Sequence, residues 1–83
     1  MLKYKEIPES IRDSSADIML HRIELFDNVA LYKIFMPEKK YGNKSVGFEI
    51  RKFKRNDSGL LVSERIGTAK KYAEALELAK RSV

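Results

Sequence analysis

Alternating apolar and polar positions on either side of Asp27-Asn28 predict a β-hairpin. Residues 17–26 and 29–36 are both rich in β-branched, aromatic and aliphatic side chains. Asp and Asn tolerate the positive φ angles that a two-residue hairpin turn requires, so Phe26 should pair with Val29. Continued without interruption, this pairing gathers most apolar side chains on one face and leaves a mixed face on the other. A slip of one residue would destroy that separation, which supports the predicted register.

Two more strands are predicted after this hairpin. A polar loop with the turn signal Gly42-Asn43 leads to a third strand over residues 46–54. The turn at residues 56–59 then leads to a fourth strand over residues 60–66. The apolar side chains predicted to point inward are Val46, Phe48, Ile50, Leu60, Val62 and Ile66.

The C-terminal segment predicts an amphipathic helix over residues 68–82. Gly67 ends the last strand, and the Thr68 hydroxyl can accept a hydrogen bond from an early helical N–H. Apolar residues recur with a period of about 3.6. This helix has to cover the apolar face of the sheet, because no other predicted element can do so. The predicted stripe consists of Ala69, Tyr72, Ala73, Leu76, Ala79 and Val83.

The N-terminal residues carry the weakest signals. Pro8 can begin a helix of at most two turns, while the alternation before it suits a short edge strand. We therefore predict an α+β fold in one small domain, residues 1–83. An N-terminal arm or short helix (1–16) precedes a four-stranded antiparallel β-meander (17–66), which packs on one C-terminal helix (68–82).

The distribution of charge bears directly on the choice of partner. The chain has a net charge of +5, and residues 37–55 hold seven basic and two acidic residues, a balance equal to that of the whole chain. Such a concentration is typical of proteins that contact anionic partners. Cysteine is absent, and no apolar run reaches the length of a signal peptide or membrane span. We therefore expect a cytoplasmic protein that does not enter membranes.

The sequence contains few residues that could act in catalysis. His21 is the only histidine, and the predicted register points it into the sheet–helix interface, where a hydrogen-bonded structural histidine is the commoner case. The serines lie mainly in turns without an assignable base, and the four glycines are too scattered to form a phosphate loop. No cluster has metal-ligand spacing. We expect a non-enzymatic protein with no catalytic residue, metal or cofactor.

The basic segment predicts a nucleic-acid-binding surface on the mixed face of the sheet and the loop at residues 37–45. If Met36 pairs with Val46, the strands continue in register, and Lys33 then lies opposite Glu49. Cations that follow phosphates and rings that stack on bases suit single-stranded DNA or RNA. The residues expected to bind are Arg22, Lys33, Lys39, Lys40, Tyr41, Lys44, Arg51, Phe53, Lys54 and Arg55.

Other interpretations of the same residues stay open. Charged side chains on a solvent-facing strand are ordinary, and lysine at a sheet edge discourages aggregation. The face could instead bind an acidic protein or form a two-fold homodimer, because exposed apolar residues are numerous for so small a chain. Phe53 could stack on a base, pack in a cluster under the N-terminal segment with Ile7, or turn inward at a bulge at Arg51-Lys52.

The order of elements, a β-meander closed by one C-terminal helix, resembles several nucleic-acid-binding folds. These are the single-strand-binding Whirly and Pur families, the arm-binding domains of phage integrases, and double-stranded-RNA-binding domains. The chain matches none of their sequence motifs. In the last family the final helix opens with paired lysines that meet phosphate, and the stretch GTAKKYAEALELAKR places Lys70 and Lys71 similarly. Small basic proteins of this kind are frequent among phage and plasmid accessory proteins.

Overall fold

A computed structural model describes residues 6–13, 18–38 and 42–83 of the protein. The described residues form one antiparallel sheet, in which five strands follow each other in chain order, and a C-terminal helix. The strands are β1 (Ser10–Asp13), β2 (Ile18–Phe26), β3 (Val29–Glu38), β4 (Gly42–Arg55) and β5 (Leu61–Ala69), and the helix is α1 (Tyr72–Ser82). The predicted α+β meander with a C-terminal helix is thus confirmed. The predicted number of four strands is wrong.

The additional strand is β1, which occupies residues for which the sequence predicted a short helix. Ile11 pairs with Leu20 of β2, and both side chains join one apolar cluster. A helix of two turns is marginal in water by itself. Pairing with an existing strand lets the same residues bury Ile11 and satisfy their backbone groups, so the strand prevails.

The hairpin of β2 and β3 turns at the predicted residues, but its register changes after three pairs. Asp27 takes a positive φ of 56°, whereas Asn28 lacks the positive φ that a type I′ turn would also require. Phe26 pairs with Val29 as predicted, and the pairing holds as far as Glu24, beyond which a β-bulge at residue 23 shifts it. Arg22 therefore pairs with Tyr32 instead of Lys33. A bulge exchanges the faces of all residues beyond it, and local sequence patterns carry no signal for it.

The predicted register between β3 and β4 is wrong by one residue. Lys33 pairs with Phe48 instead of Glu49, and Leu31 pairs with Ile50. This pairing places two fully buried aliphatic side chains side by side, whereas the predicted one would have set Leu31 against an arginine. A second bulge, at residue 46, precedes Gly47, whose φ of 146° favours glycine. A Cβ there would lie 3.0 Å from the Ala69 carbonyl oxygen of β5.

Both faces of the sheet are covered near its centre. On one face, called here the helix face, α1 packs against β3, β4 and β5. The opposite face, called the outer face, holds a second cluster. The helix-face cluster contains Val29, Leu31, Ile50, Ala75 and Ala79, and the outer-face cluster contains Ile7, Leu20, Ala30, Tyr32 and Phe53, all of them buried. Phe53 is therefore a core residue under Ile7, as one of the packing interpretations expected, and it does not turn toward the helix.

Helix α1 begins four residues later than predicted. Strand β5 continues to Ala69, and Thr68 pairs with Glu49 in the sheet instead of capping a helix. The buried residues of the helix are Ala75 and Ala79, so its apolar stripe is rotated relative to the predicted one. Alanine at the contact lets the helix approach the sheet closely, and a Cβ at Gly67 would meet the Leu78 side chain at 3.0 Å. Leu60, predicted to point inward from the fourth strand, lies before β5 and is 65% exposed.

The helix covers only part of the sheet. Its first residue, Tyr72, contacts the Phe48 ring edge-on and donates a hydrogen bond to Glu24, and Lys52 donates to the carbonyl of Ser82 at the other end. A helix of this length spans about 16 Å, whereas the longest dimension of the described molecule is 43 Å. In the part of the chain that the structure describes, no helix has the length and apolar character needed to cross a bilayer.

We expect Phe53→Ala to destabilise the protein by about 3 kcal/mol, because the ring is 3% exposed and its removal leaves a cavity between Ile7 and Tyr32. Urea unfolding measured by circular dichroism checks the loss. Leu60→Ala is the matched control, and its effect should stay within about 0.5 kcal/mol because Leu60 is exposed. Equal stability of the two variants would show that Phe53 is not a core residue.

Candidate nucleic-acid interface

The residues predicted to bind nucleic acid do not lie on a single face. Arg22, Arg51, Phe53 and Arg55 belong to the outer face, whereas Lys33 and Lys54 point to the helix face. Lys33 leaves the predicted group because β3 and β4 pair one residue away from the predicted register, which sets Lys33 opposite Phe48 of the helix face. Lys39, Lys40 and Tyr41 lie outside the described residues, as does the side chain of Lys44.

The outer-face arginines are occupied by contacts within the protein. Arg22 donates to the carbonyl of Ile7 at 2.7 Å, and Arg51 forms a 2.6 Å ion pair with Glu49. Arg55 forms an ion pair with Glu6 and donates to the Gly59 carbonyl. These bonds fasten residues 6–9 and the β4–β5 turn to the sheet. Three of the seven basic residues in the 37–55 segment, Arg51, Lys52 and Arg55, therefore have structural partners.

The rings predicted to lie among these cations are also engaged. Phe53 is buried and lies 6.4 Å from the Tyr32 ring centroid, and Phe26 packs against the helix-face cluster. A buried ring has no free surface on which a base can stack. The centre of the outer face therefore lacks the aromatic platform that the sequence predicted.

Cations and an aromatic ring do occur together on another surface, the part of the helix face that α1 leaves uncovered. We call this surface the open face, and it consists of alternate residues of β1, β2 and β3. Lys33 and Phe35 lie there on β3, next to His21 and Met19 of β2. On β1, Arg12 pairs directly with Met19 and is exposed. The open face comprises Ser10, Arg12, Met19, His21, Lys33 and Phe35.

Among the described residues, the cations of the open face have no ionic partner. None of its six side chains is acidic, and neither Arg12 nor Lys33 forms an ion pair in the described part of the chain. The nearest acidic residue along β2, Glu24, accepts the hydrogen bond from Tyr72, which raises the pKa of that tyrosine. Lys33 Nζ lies 5.5 Å from the centroid of the Phe35 ring, a cation–π distance. The open face thus combines unpaired positive charge with a partly exposed ring.

Sequence reasoning did not include Arg12, His21 or Phe35 among the residues expected to bind nucleic acid. Phe35 follows Lys33 by two positions and so shares its face in any strand, a signal that was present in the alternation. Arg12 could not be placed, because residues 10–13 were predicted to be helical or irregular. Lys70 and Lys71, highlighted by the resemblance to double-stranded-RNA-binding domains, are exposed just before α1.

A buried polar network holds the outer face together behind the open face. The Tyr32 hydroxyl donates to the carbonyl of Pro8 at 2.7 Å, and Tyr32 lies between Arg22 and Glu49 on the neighbouring strands. Burial raises the pKa of Tyr32 to about 12, and the cations Arg22 and Arg51 lessen that rise. Every buried side-chain nitrogen and oxygen in the described residues has a hydrogen-bond partner. This face is therefore built for stability at its centre.

Comparison with protein-family models, with curated proteins and with solved structures found no significant match. Function therefore has to be argued from the chemistry of the described surfaces.

The raised pKa of Tyr32 predicts a specific loss of stability at alkaline pH. The folded protein binds the phenol proton more tightly than the unfolded chain, whose tyrosine has a pKa of 10.0. This contribution is complete below pH 10 and declines between about pH 10 and 12, by at most about 1.4 kcal/mol per pH unit. Urea unfolding of the wild type and Tyr32→Phe at several alkaline pH values measures it. The wild type should lose its advantage as the pH rises, and parallel curves would contradict the buried phenol.

Proposed function

We propose that the protein is a non-enzymatic module that binds single-stranded nucleic acid on the open face. The observation that carries this proposal is the pairing of unneutralised cations with the Phe35 ring on one uncovered stretch of sheet. The function is the one the basic composition suggested, but the surface differs from the one predicted. It moves from the outer face to the helix face beyond α1.

The chemistry of the open face suits a flexible strand. Arg12 and Lys33 lie on different strands on the two sides of β2, so each can neutralise a separate phosphate. Phe35 is partly exposed next to Lys33, and a base can stack on an aromatic ring without regard to its sequence. Met19 and His21 between them offer apolar and polar surface for sugars and base edges. This arrangement supports binding with little sequence preference.

The helix supports the proposal by its position. Tyr72 holds the first turn of α1 against Phe48 and Glu24, so the helix begins at the border of the open face and does not cover it. The exposed Lys70 and Lys71 precede that first turn and add positive charge in the same region of the chain. A strand lying across β1–β3 can approach the sheet without displacing any described element.

Replacing Arg12 and Lys33 together by glutamine should weaken oligonucleotide binding and flatten its salt dependence. Each lost phosphate contact on a single strand reduces the slope of log K against log salt concentration by about 0.7, so the pair should reduce it by about 1.4. Fluorescence anisotropy with a labelled oligonucleotide at several salt concentrations measures the slope. Lys80→Gln with Arg81→Gln, on the exposed side of α1, removes the same charge and is the control. Equal losses in both variants would indicate diffuse attraction and refute the open face.

Phe35→Leu tests stacking separately, with an expected loss of about 1–3 kcal/mol in binding free energy at unchanged slope.

A protein partner is the second candidate, favoured by exposed apolar side chains around β2–β4. Met19, Ile23, Met36 and Val46 are between 37% and 45% exposed. Two copies of the protein joined at the open face would bring its cations against each other, because none of its side chains is acidic. The charge therefore favours an acidic partner protein over a homodimer at this surface.

Sedimentation velocity over a wide range of protein concentration tests whether the open face is a self-association surface. The nucleic-acid proposal expects a monomer throughout. A concentration-dependent dimer that Met19→Glu dissociates would instead identify the open face as a self-association surface. Helix content from circular dichroism should be unchanged in that variant, since Met19 is 37% exposed.

A further inference from the structure

Strand β5 forms one edge of the sheet, and no described strand pairs with its outer side. It runs antiparallel to β4, and the bulge at residue 66 separates a regular stretch, residues 61–65, from the end of the strand. Residues 63–65 are exposed. A regular strand with an unpaired edge is a template on which a further strand can form.

The ladder hydrogen bonds decide which backbone groups of this edge are unpaired. The Asn56 N–H donates to the carbonyl of Leu60, just before β5, at 2.9 Å, so Leu60 bonds toward β4. Bonding direction alternates along a strand, so residues 62 and 64 also bond toward β4, and residues 61, 63 and 65 bond away from it. Phe53, which lies opposite Ser63, agrees with this pattern, because its N–H donates to Asn28 and so points away from β5. The groups directed outward are the N–H and C=O of Leu61, Ser63 and Arg65.

The same three residues place their side chains on the outer face. Ser63 lies opposite Phe53 and Arg65 lies opposite Arg51, and both partners belong to the outer face. Leu61 packs against the outer-face cluster. Residues that lie opposite each other in an antiparallel pair point to the same face. A strand added to this edge would therefore place alternate side chains directly beside Leu61, Ser63 and Arg65.

Arg65 determines which kind of strand fits this edge. Its neighbour on β4 is Arg51, and like charges opposite each other in a sheet are destabilising. The Glu49 carboxylate lies 2.6 Å from Arg51 Nε but 3.6 Å from Arg65 Nη1, so it compensates Arg65 less well. The Arg65 side chain is 65% exposed. A carboxylate on an added strand would flank Arg65 from the other side, whereas a basic residue there would be repelled.

We propose that the β5 edge binds an extended acidic segment of a partner protein by β-strand addition. The outward backbone groups supply the hydrogen bonds, and the outer-face side chains supply the selection. An antiparallel segment would place an acidic residue opposite Arg65 and an apolar residue, four positions later, opposite Leu61 beside the outer-face cluster.

The charge argues against a second copy of the protein as the occupant. Two β5 strands paired about Ser63 would set Leu61 of one copy opposite Arg65 of the other, which leaves the arginine uncompensated. An acidic segment supplies the missing carboxylate. The open face lies on β1–β3, toward the opposite edge of the sheet, so this inference does not rest on the proposed function.

Amide hydrogen exchange measured by nuclear magnetic resonance tests the proposal with a short capped peptide. The peptide carries glutamate at the position opposite Arg65, isoleucine opposite Leu61, and threonine or valine elsewhere. In the free protein the amides of Leu61, Ser63 and Arg65 should exchange faster than those of Val62 and Glu64. Excess peptide should slow the first three by about tenfold or more, because each becomes hydrogen-bonded.

Substitutions at two positions separate backbone pairing from charge. Ser63→Pro removes an N–H that makes no bond to β4, so the fold should persist while peptide binding is lost. Ser63→Ala keeps the N–H, and this matched control should bind as the wild type does. Arg65→Glu should reverse the charge preference, so that a peptide with lysine in place of the glutamate binds severalfold better than the original. That reversal keeps the test decisive if Ser63→Pro does not fold.

Three results would overturn the site: unchanged exchange of the outward amides in excess peptide, equal binding by Ser63→Pro and Ser63→Ala, or equal binding of the glutamate and lysine peptides. Protection of these amides that rises with protein concentration in the absence of peptide would show pairing between two copies and overturn the acidic partner. Arg12→Gln with Lys33→Gln should leave peptide binding unchanged. Failure of the β5 edge and failure of the open face are thereby measured separately.

Discussion

Strand β3 is buried on both faces along its first four residues, and the other elements are arranged around it. Val29, Ala30, Leu31 and Tyr32 are all 0% exposed, two on each face of the sheet. A strand in this position needs cover on both sides, which α1 provides for the helix face and residues 7–8 provide for the outer face. A chain of this size buries only about 60–65% of the surface that its unfolded form exposes, less than a larger domain does. Its stability is therefore marginal, and both thin layers contribute to it. Tyr32 links the layers because its ring joins the outer cluster and its hydroxyl holds Pro8.

The bulges follow from that double burial. A hairpin with uninterrupted pairing would have set Arg22 against Lys33, two cations side by side. The bulge at residue 23 instead pairs Arg22 with Tyr32 on the outer face, where it reaches the Ile7 carbonyl. In β5, the bulge at residue 66 turns Ile66 into the helix-face cluster and brings Gly67 under Leu78. Each bulge therefore allows a contact with a distant part of the chain.

This dependence on distant contacts explains how far the sequence could predict the structure. The Asp27-Asn28 turn was predictable because its signal is local, and so was the alternation of β4, where Phe48 and Ile50 do face the helix. The order of strands followed from the turns. The face of Lys33 was not predictable, because it depends on the register between β3 and β4, in which Leu31 and Ile50 are buried side by side. The bulge at residue 23 was not predictable either, because the Ile7 carbonyl that Arg22 reaches lies far away in sequence. The side of α1 that faces the sheet was predicted wrongly for a similar reason. Ala75 and Ala79 face the sheet because small side chains allow close approach, and alanine carries only a weak hydrophobic signal.

The fate of residues 51–55 shows why a concentration of charge does not by itself locate a binding surface. Within this run Arg51 pairs with a buried carboxylate, Lys52 donates to the last turn of the helix, and Arg55 binds Glu6. An ammonium group at a helix C-terminus is favourable, and a buried carboxylate requires a cation, so these residues have structural reasons to be basic. What distinguishes Arg12 and Lys33 is their surroundings. Neither has a carboxylate partner in the described part of the chain. Since a paired cation must first give up its partner before it can bind an anion, affinity for an external ligand should come from the unpaired charges, which are fewer and lie on parts of the sheet that the charge count does not single out.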